Sequence, residues 1–283
     1  MKRTIALTTW TEHPALIHEQ RTVKLREYAQ HLPAVEVDTF FYALPQLKTV
    51  QQWINEVGPG FQFIVKAHQA MTKHPRAVLP EGVTLPEMFE RFKQVIRPMV
   101  ATDQLKTVLF QFPPQFDATV SNIEYLMKVR RLMGNLPVAI ELRNKSWYQP
   151  AVVDSLVGYC RDLKFTLVAA DEANQIQASI PFYLATTNPE LVLIRLHGRN
   201  TEGWNHPGKE WRKKRTLYHY SEEQLKRLNQ RIQQLTPQPQ EVCVIFNNNS
   251  GGDAAPSALT LQQIMGVHFS GLVPRDPEQL DLF

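Results

Sequence analysis

Chemically active residue types stand at the ends of several short apolar runs in this sequence. They are Lys66, His68, Gln111, Glu141, Arg143, Asp171, Glu172, Arg195, His197, Arg199, Asn247 and Asn249. In four of the runs the active residues are spaced by two, and alternate residues of a β-strand point to the same face of a sheet. If the runs are neighbouring strands, these side chains are predicted to converge on one pocket.

Glu141 and His197 are the members of this set best suited to move protons, because carboxylates and imidazoles are common general acids and bases. We predict that these two residues are catalytic, in a reaction of the hydrolase or lyase type. A buried carboxylate beside guanidinium groups indicates either structural pairing or ligand binding. An ion-pair network of Glu141 with Arg143 or Arg195 that only stabilises the fold is therefore the alternative.

The other candidates are predicted to bind a substrate. They are Tyr42, Lys66, His68, Arg143, Asp171, Arg195, Arg199 and Asn247. Arginine offers a rigid fork of donors and lysine a point charge, so the expected partner is a phosphate or carboxylate group, in a small molecule or in nucleic acid. No cofactor is predicted. A divalent metal is an alternative, because imidazole and carboxylate suit zinc, manganese or iron, although no H-E-x-x-H motif is present.

Short apolar runs alternate with longer segments of helical periodicity along the whole chain, which is typical of repeated βα units. Eight strands are predicted: Thr4–Thr9, Val35–Phe41, Phe61–Ala67, Lys106–Phe112, Val138–Leu142, Thr166–Ala170, Leu191–Leu196 and Val242–Phe246. Eight such units close most economically into an α/β (β/α)₈ TIM barrel. An open doubly wound sheet is the alternative, but no G-x-G-x-x-G follows the first strand.

Helices are expected to fill the gaps between the strands. Apolar spacing predicts helices over Leu47–Val57, Glu87–Met99 and Ser121–Met133, the last with Ser121 as its N-cap. A further helix is predicted to begin at Ser221, where Ser221-Glu222-Glu223-Gln224 has the pattern of a capping box.

Composition excludes several classes of protein. With 283 residues, of which 43% are hydrophobic and 20% charged, the chain is predicted to bury a large core. Two cysteines, Cys160 and Cys243, are too few for a disulfide framework and favour a cytoplasmic protein. No apolar stretch approaches the roughly 18 residues of a membrane span, so no membrane association is predicted. The net charge of +4 favours anionic partners only weakly.

The segment from Arg199 to Tyr220 mixes aromatic and basic residues, including Trp204, Trp211 and Tyr218. Charge attraction combined with aromatic stacking is a common way to hold single-stranded nucleic acid. An ordinary loop whose aromatic residues cover the barrel rim fits the same pattern. The sequence leaves both interpretations open.

Several motifs together resemble the DUF72 family, also called YecE-like. They are Val35-Glu36-Val37-Asp38, Phe41-Tyr42-Ala43-Leu44-Pro45, Trp53, Gly60-Phe61-Gln62-Phe63, Val65-Lys66-Ala67, Gln111-Phe112-Pro113-Pro114, Ala139-Ile140-Glu141-Leu142-Arg143, Ser146-Trp147, Arg195-Leu196-His197-Gly198-Arg199 and Phe246-Asn247-Asn248. The chain departs from the family pattern at Thr9-Trp10, Asp38 and Asn249. The resemblance spans nearly the whole chain and implies a TIM-barrel fold without implying a reaction.

The C-terminal tail is distinct from the barrel pattern. We expect one barrel domain over residues 1–272 and an extended tail over 273–283. The tail ends in Gln279, Leu280, Asp281, Leu282 and Phe283, which resembles the bacterial peptide that binds the DNA sliding clamp. An extended peptide with a few anchoring side chains is a sound docking mode. The alternative function is therefore a non-catalytic DNA-maintenance accessory that docks on the clamp through this tail. The tail residues could instead fold back and cover an apolar gap on the barrel itself.

Overall fold

A nearly closed barrel of parallel strands forms the centre of the molecule. The structure, a computed structural model, describes residues 1–173, 179–205 and 214–274, apart from the side chains of 204 and 205. The strands are β1 Lys2–Thr8, β2 Ala34–Val37, β3 Gln62–Lys66, β4 Leu105–Phe112, β5 Val138–Leu142, β6 Phe165–Leu167, β7 Ala169–Asp171, β8 Leu191–Leu196 and β9 Glu241–Phe246. They pair in the order β6-β5-β4-β3-β2-β1-β9-β8-β7. The predicted α/β TIM-barrel fold is confirmed.

The ring is completed by a bend at Val168. The sequence predicts one strand over Thr166–Ala170, whereas the structure has two short strands, with β6 paired to β5 and β7 paired to β8. At the bend the Val168 N–H still donates to Ile140 O at 2.9 Å. The Thr166 hydroxyl donates to Leu191 O of β8 at 3.2 Å. The continuous segment from β6 to β7 therefore pairs with β5 through its first half and with β8 through its second half, which closes the sheet.

Helices pack around the outside of this sheet. They are α1 Leu25–Tyr28, α2 Thr39–Tyr42, α3 Leu47–Glu56, α4 Leu85–Ala101, α5 Val120–Met133, α6 Val153–Asp162, α7 Thr201–Asn205, α8 Glu222–Gln233 and α9 Ala254–Met265. The capping box predicted at Ser221 is confirmed, because Ser221 Oγ accepts from Gln224 N while the Gln224 side chain accepts from Ser221 N.

Three predicted boundaries are wrong. The second strand ends at Val37 instead of Phe41, because the chain turns into α2 at Asp38, whose carbonyl oxygen accepts from Phe41 N at 3.0 Å. Helix α4 spans Leu85–Ala101 instead of Glu87–Met99, because Pro98 does not end it. Helix α5 has Thr119 as its N-cap and not Ser121.

The expected helix between the sixth and seventh predicted strands is absent from the described residues of that gap, 172–173 and 179–190. Side chains here bond to the backbone of the neighbouring strand. The Thr187 hydroxyl donates to Phe165 O at 2.8 Å and accepts from Leu167 N at 2.9 Å. Pro181, Pro189 and the threonines of this segment are poor helix formers, so an extended course is favoured.

The barrel interior has an apolar middle and two polar ends. Small and branched residues fill the middle: Ala6, Ala34, Ile64, Leu109, Ala139, Val168, Leu191, Leu193, Cys243 and Ile245. Cys243 is a free, buried thiol, as is Cys160. At the N-terminal end of the strands, Lys106 Nζ donates to Glu241 Oε1 at 2.7 Å, and the Thr4 hydroxyl bonds to the same oxygen. We call Thr4, Lys106 and Glu241 the floor cluster.

Among the described residues, none of the helices combines the length and apolar character needed to cross a lipid bilayer.

Candidate functional site

A buried guanidinium group lies at the centre of the C-terminal end of the barrel, which we call the mouth. Arg195 is fully buried and donates from Nε and Nη2 to the two carboxylate oxygens of Glu36, at 2.8 and 2.5 Å. Its Nη1 donates to Glu141 Oε2 at 2.5 Å. One cation from β8 therefore bridges two fully buried carboxylates, from β2 and β5.

Glu141 is also the acceptor for an imidazole. Gln111 Nε2 donates to Glu141 Oε1 at 2.6 Å, and His197 Nε2 lies 3.1 Å from the same oxygen. Asn247 Nδ2 lies 2.8 Å from the other ring nitrogen, Nδ1. Because an ionised carboxylate only accepts hydrogen bonds, Nε2 of a neutral ring carries the proton, and Nδ1 accepts from the Asn247 amide.

Two further ion pairs border this network. Arg143 pairs with the buried carboxylate of Glu172, and its Nε lies 3.9 Å from Glu141 Oε1. On the opposite side, Lys66 Nζ lies 3.4 Å from Asp38 Oδ1 and 4.7 Å from the centre of the Phe41 ring. We define the mouth cluster as Glu36, Asp38, Lys66, Gln111, Glu141, Arg143, Glu172, Arg195, His197 and Asn247.

Burial and neighbouring charges shift the pKa values of this cluster in different directions. Burial alone would raise the pKa of Glu141, but Arg195 and His197 outweigh it and hold the pKa well below the usual 4.5. Burial lowers the pKa of His197 to about 3, so the ring is neutral at pH 7. Burial also raises the pKa of Glu36 to about 7 and raises that of Glu172. Glu141 is therefore the permanent anion, whereas Glu36 titrates near neutrality.

The mouth cluster has one more carboxylate than it has cations. Its carboxylates are Glu36, Asp38, Glu141 and Glu172, and its cations are Lys66, Arg143 and Arg195. Each of these cations contacts a carboxylate of the cluster. Arg215, outside this set, also lowers the pKa of Glu172, so the surplus negative charge lies mainly at Glu36 and Asp38. These two carboxylates together favour binding one proton, which is a useful property for general acid–base chemistry.

The side chains of Glu141, Glu172 and His197 are close enough together to be considered as metal ligands. One oxygen or nitrogen atom from each lies within 4.8 Å of the other two. These carboxylates also contact Arg143 and Arg195, however. A divalent cation at this point would be repelled by both guanidinium groups at short range. The donor set fits guanidinium–carboxylate pairing better than it fits a metal ion.

Several predicted site residues lie outside the network. Asp171 points away from Glu172, as adjacent strand residues must, and accepts from Arg199 Nε and from the Tyr220 hydroxyl. His68 accepts from Ala70 N at 3.2 Å and so caps the 3₁₀ helix Gln69–Met71. Tyr42 lies at the end of α2, with 59% of its surface exposed.

Sequence reasoning missed Glu36 and Asp38 as site residues, and it gave no individual role to Gln111 or Glu172, although it placed both in the converging set. Glu36 is an acid inside the apolar strand Ala34–Val37, and that signal was available because an unpaired buried charge is costly. Glu172 directly follows Asp171, and the sequence gives no means of deciding which of the two faces the barrel interior.

The structure describes part of the segment from Arg199 to Tyr220, for which nucleic-acid binding was one interpretation. Tyr220 is buried and packs against Tyr218, with 4.9 Å between ring centres, so Tyr220 offers no free face for stacking. Trp211 and the side chain of Trp204 lie outside the described residues, as do the tail residues Gln279, Leu280, Asp281, Leu282 and Phe283.

Comparison with known proteins agrees with the fold and with these motifs. The family model described as "Protein of unknown function DUF72" matches residues 4–280. The chain belongs to the DUF72 family. This DUF72 chain is 39% identical over 284 residues to the UPF0759 protein YunF of Bacillus subtilis, with 99% of both chains covered. It is also 34% identical over 85 residues to the UPF0759 protein YecE of Escherichia coli, which covers 28% of this chain and 30% of YecE.

Solved structures of DUF72 proteins have the same architecture. A protein of Enterococcus faecalis superimposes with a TM-score of 0.91 at 38% identity, covering 97% of this chain and 99% of that one. A protein of Thermotoga maritima superimposes with a TM-score of 0.78 at 26% identity, covering 94% of this chain and all of the other. The barrel is therefore common to these family members.

Proposed function

We propose that this DUF72 protein is an enzyme that uses Glu141 and His197 for proton transfer on an anionic substrate bound at the mouth of the barrel. The observation that carries the proposal is the hydrogen-bonded series Glu141–His197–Asn247. A carboxylate that orients a neutral imidazole is a recurring arrangement for general base catalysis. The chemistry it suits is of the hydrolase or lyase type.

The two residues would have different roles. Glu141 stays ionised because Arg195 and His197 hold its pKa low, so it orients the ring through Nε2. His197 presents Nδ1 toward Asn247, which is half-buried and lies at the end of β9. Movement of the Asn247 amide would release the Nδ1 lone pair toward a substrate. Nδ1 is therefore the atom proposed to accept the proton.

The low pKa of His197 favours an anionic substrate. Burial and Arg195 both disfavour the imidazolium, so the free enzyme holds a weak base. A negative charge brought into the mouth would stabilise the imidazolium and raise its pKa toward neutrality. Lys66 and Arg143 border the network, and they are the cations proposed to hold that charge. A proton taken up by Glu36 or Glu172, whose pKa values are raised, would offset the surplus negative charge when a cation turns from its carboxylate to the substrate.

The test is a turnover screen with phosphorylated and carboxylated metabolites and short oligonucleotides. The variants Glu141→Gln and His197→Asn should lower kcat by about 10²–10⁴-fold, which is the usual contribution of a general acid or base. Glu241→Gln is the matched control, because it neutralises a partly buried carboxylate of the floor cluster at the opposite end of the barrel. Retention of turnover in both mouth variants would exclude the assigned roles.

A second candidate function is recruitment to the DNA sliding clamp through the C-terminal tail, and all five terminal residues fit the clamp-binding pattern. The last described residues lie near the N-terminal ends of the strands, opposite the mouth. There Val273 N donates to Ala29 O at 3.1 Å. A docked tail would therefore leave the mouth accessible. Deletion of residues 279–283 should abolish capture by purified clamp, with Lys226→Gln as a surface control. Equal capture without the tail would reject this function.

A further inference from the structure

A cavity of about 290 Å³ lies on the outer side of the barrel between β7, β8 and α8. Leu196, Leu225 and Leu228 give it an apolar wall. The described part of the β7–β8 connection contains no helix, and its residue Phe182 borders the cavity. We call this cavity the side pocket.

Among the described residues, four charged side chains line the side pocket, and three of them are arginines. Arg199 Nε donates to Asp171 Oδ1 at 3.0 Å and to Asp171 Oδ2 at 2.8 Å. Asp171 is not hydrogen-bonded to the two terminal nitrogens of Arg199, which also lines the pocket. Arg227 and Arg231 lie one turn apart on α8, and both are exposed. The guanidinium carbon of Arg231 lies 4.4 Å from the centre of the Phe182 ring, which holds the side chain beside the opening.

The ion pair of Arg227 is easily exchanged. Its partner Glu223 lies one turn earlier on the helix, and the two side chains are 69% and 74% exposed. Ion pairs at such positions contribute little, because water screens both charges. An incoming anion could therefore bind Arg227 at low cost.

The side pocket is separate from the mouth cluster. Asp171 and Glu172 are adjacent, and they point to opposite sides of the sheet. Asp171, Arg199 and Tyr220 line the side pocket, whereas Glu172 pairs with Arg143 inside the barrel. Occupation of one cavity therefore does not require occupation of the other.

We propose that the side pocket binds a small organic anion with an apolar portion, such as an aryl phosphate or an aryl carboxylate. The arginine forks match the oxygens of phosphate or carboxylate, and the leucine wall would cover the apolar portion. The volume is at the lower end of the range of about 300–1,000 Å³ typical of ligand pockets, so the ligand is the size of a substituted ring.

The proposal is tested by calorimetric titration of the full chain with phenyl phosphate, and with phenol as the uncharged analogue. We expect one phenyl phosphate per chain and much weaker binding of phenol. The double variant Arg227→Gln, Arg231→Gln should weaken phenyl phosphate binding by about tenfold or more, because two charge-assisted contacts are lost. Lys226→Gln on the same helix is the matched control and should stay within about twofold, since its exposed pair with Glu222 does not line the cavity.

Three results would overturn the proposal. They are no measurable binding of phenyl phosphate, equal binding by the double variant, and equal binding of phenol. A third variant, Lys66→Met, separates the two sites, because it alters the mouth and leaves the side pocket intact. Loss of binding in Lys66→Met alone would assign the probe to the mouth and also reject the side pocket. Circular dichroism confirms that each variant is folded.

Discussion

The two ends of the barrel interior both contain buried ion pairs, but they differ in charge balance. In the floor cluster, Lys106 and the Thr4 hydroxyl satisfy a single carboxylate, Glu241, with Lys2 3.9 Å away. In the mouth cluster, carboxylates outnumber cations, and a neutral imidazole contacts one of them. A carboxylate that is neutralised by its neighbours needs no ligand, whereas a cluster with surplus charge favours binding a proton or a partner. The contrast favours a structural role for the floor and a chemical role for the mouth.

The largest effect is expected from removing the central cation of the mouth. Arg195→Met leaves Glu36 and Glu141 buried without their shared guanidinium. Breaking a buried pair from one side typically costs about 3–5 kcal/mol in the free energy of unfolding. The measurement is urea-induced unfolding followed by circular dichroism. The double variant Arg195→Met, Glu36→Gln should recover part of the loss, and a cost below about 1 kcal/mol in Arg195→Met would contradict the central role of this pair.

A smaller effect is expected at the floor. Lys106→Met leaves Glu241 with the Thr4 hydroxyl and Lys2, and the Glu241 side chain is already 15% exposed. We therefore expect a loss of about 1–3 kcal/mol in the free energy of unfolding, the usual cost of a partly satisfied buried group. The double variant Lys106→Met, Glu241→Gln should recover most of it. If Lys106→Met were as destabilising as Arg195→Met, the proposed difference between the two ends would be lost.

The smallest expected effect is the change in unfolding free energy per pH unit, which has opposite signs at the two ends of the barrel. Burial raises the pKa of Glu36 from 4.5 to about 7, so between these values the folded chain holds a proton that the unfolded chain releases. Its contribution to stability is complete below pH 4.5 and is lost as the pH rises through 7, at up to about 1.4 kcal/mol per pH unit. Burial alone would raise the pKa of Glu241, but Lys106 outweighs burial and lowers this pKa below 4.5. The contribution of Glu241 to stability is therefore present above pH 4.5 and is lost as the pH falls.

Single substitutions separate these two contributions. Glu36→Gln should flatten the fall in unfolding free energy between pH 4.5 and 7, and Glu241→Gln should flatten the acid limb below pH 4.5. The measurement is the urea midpoint as a function of pH for the wild type and both variants. Identical profiles for Glu36→Gln and the wild type above pH 4.5 would show that Glu36 stays ionised.

Much of the fold follows from patterns that are short in sequence. The interval from Leu47 to Glu56 is helical as predicted from apolar spacing, and Ser221 begins α8 through a capping box. These features depend on residues within one or two helical turns, which is why a single sequence is sufficient to predict them. The gathering of Glu141, Arg195, His197 and Asn247 into one hydrogen-bonded network also follows, once parallel strands with a two-residue alternation are assumed.

Other features depend on residues far apart in the chain. The bend at Val168 changes the strand pairing from β5 to β8, and nothing within the apolar run marks it. Whether Asp171 or Glu172 faces the interior depends on that pairing, because a shift of one residue exchanges the two faces. Glu36 joins the network only because β2 and β8 lie in the same closed ring.

Local sequence therefore determined the strand–helix rhythm, the positions of α3 and α8 and the residue types present at the strand ends, because these depend on periodicity and on neighbours within a few residues. The tertiary structure alone decided which charge pairs with which, since the partners lie far apart along the chain: Arg195 and Glu36 are separated by 159 positions, and Lys106 and Glu241 by 135. A hydrogen-bonded ion pair forms only when the two side chains are in contact, and ring closure of the sheet brings these side chains into contact.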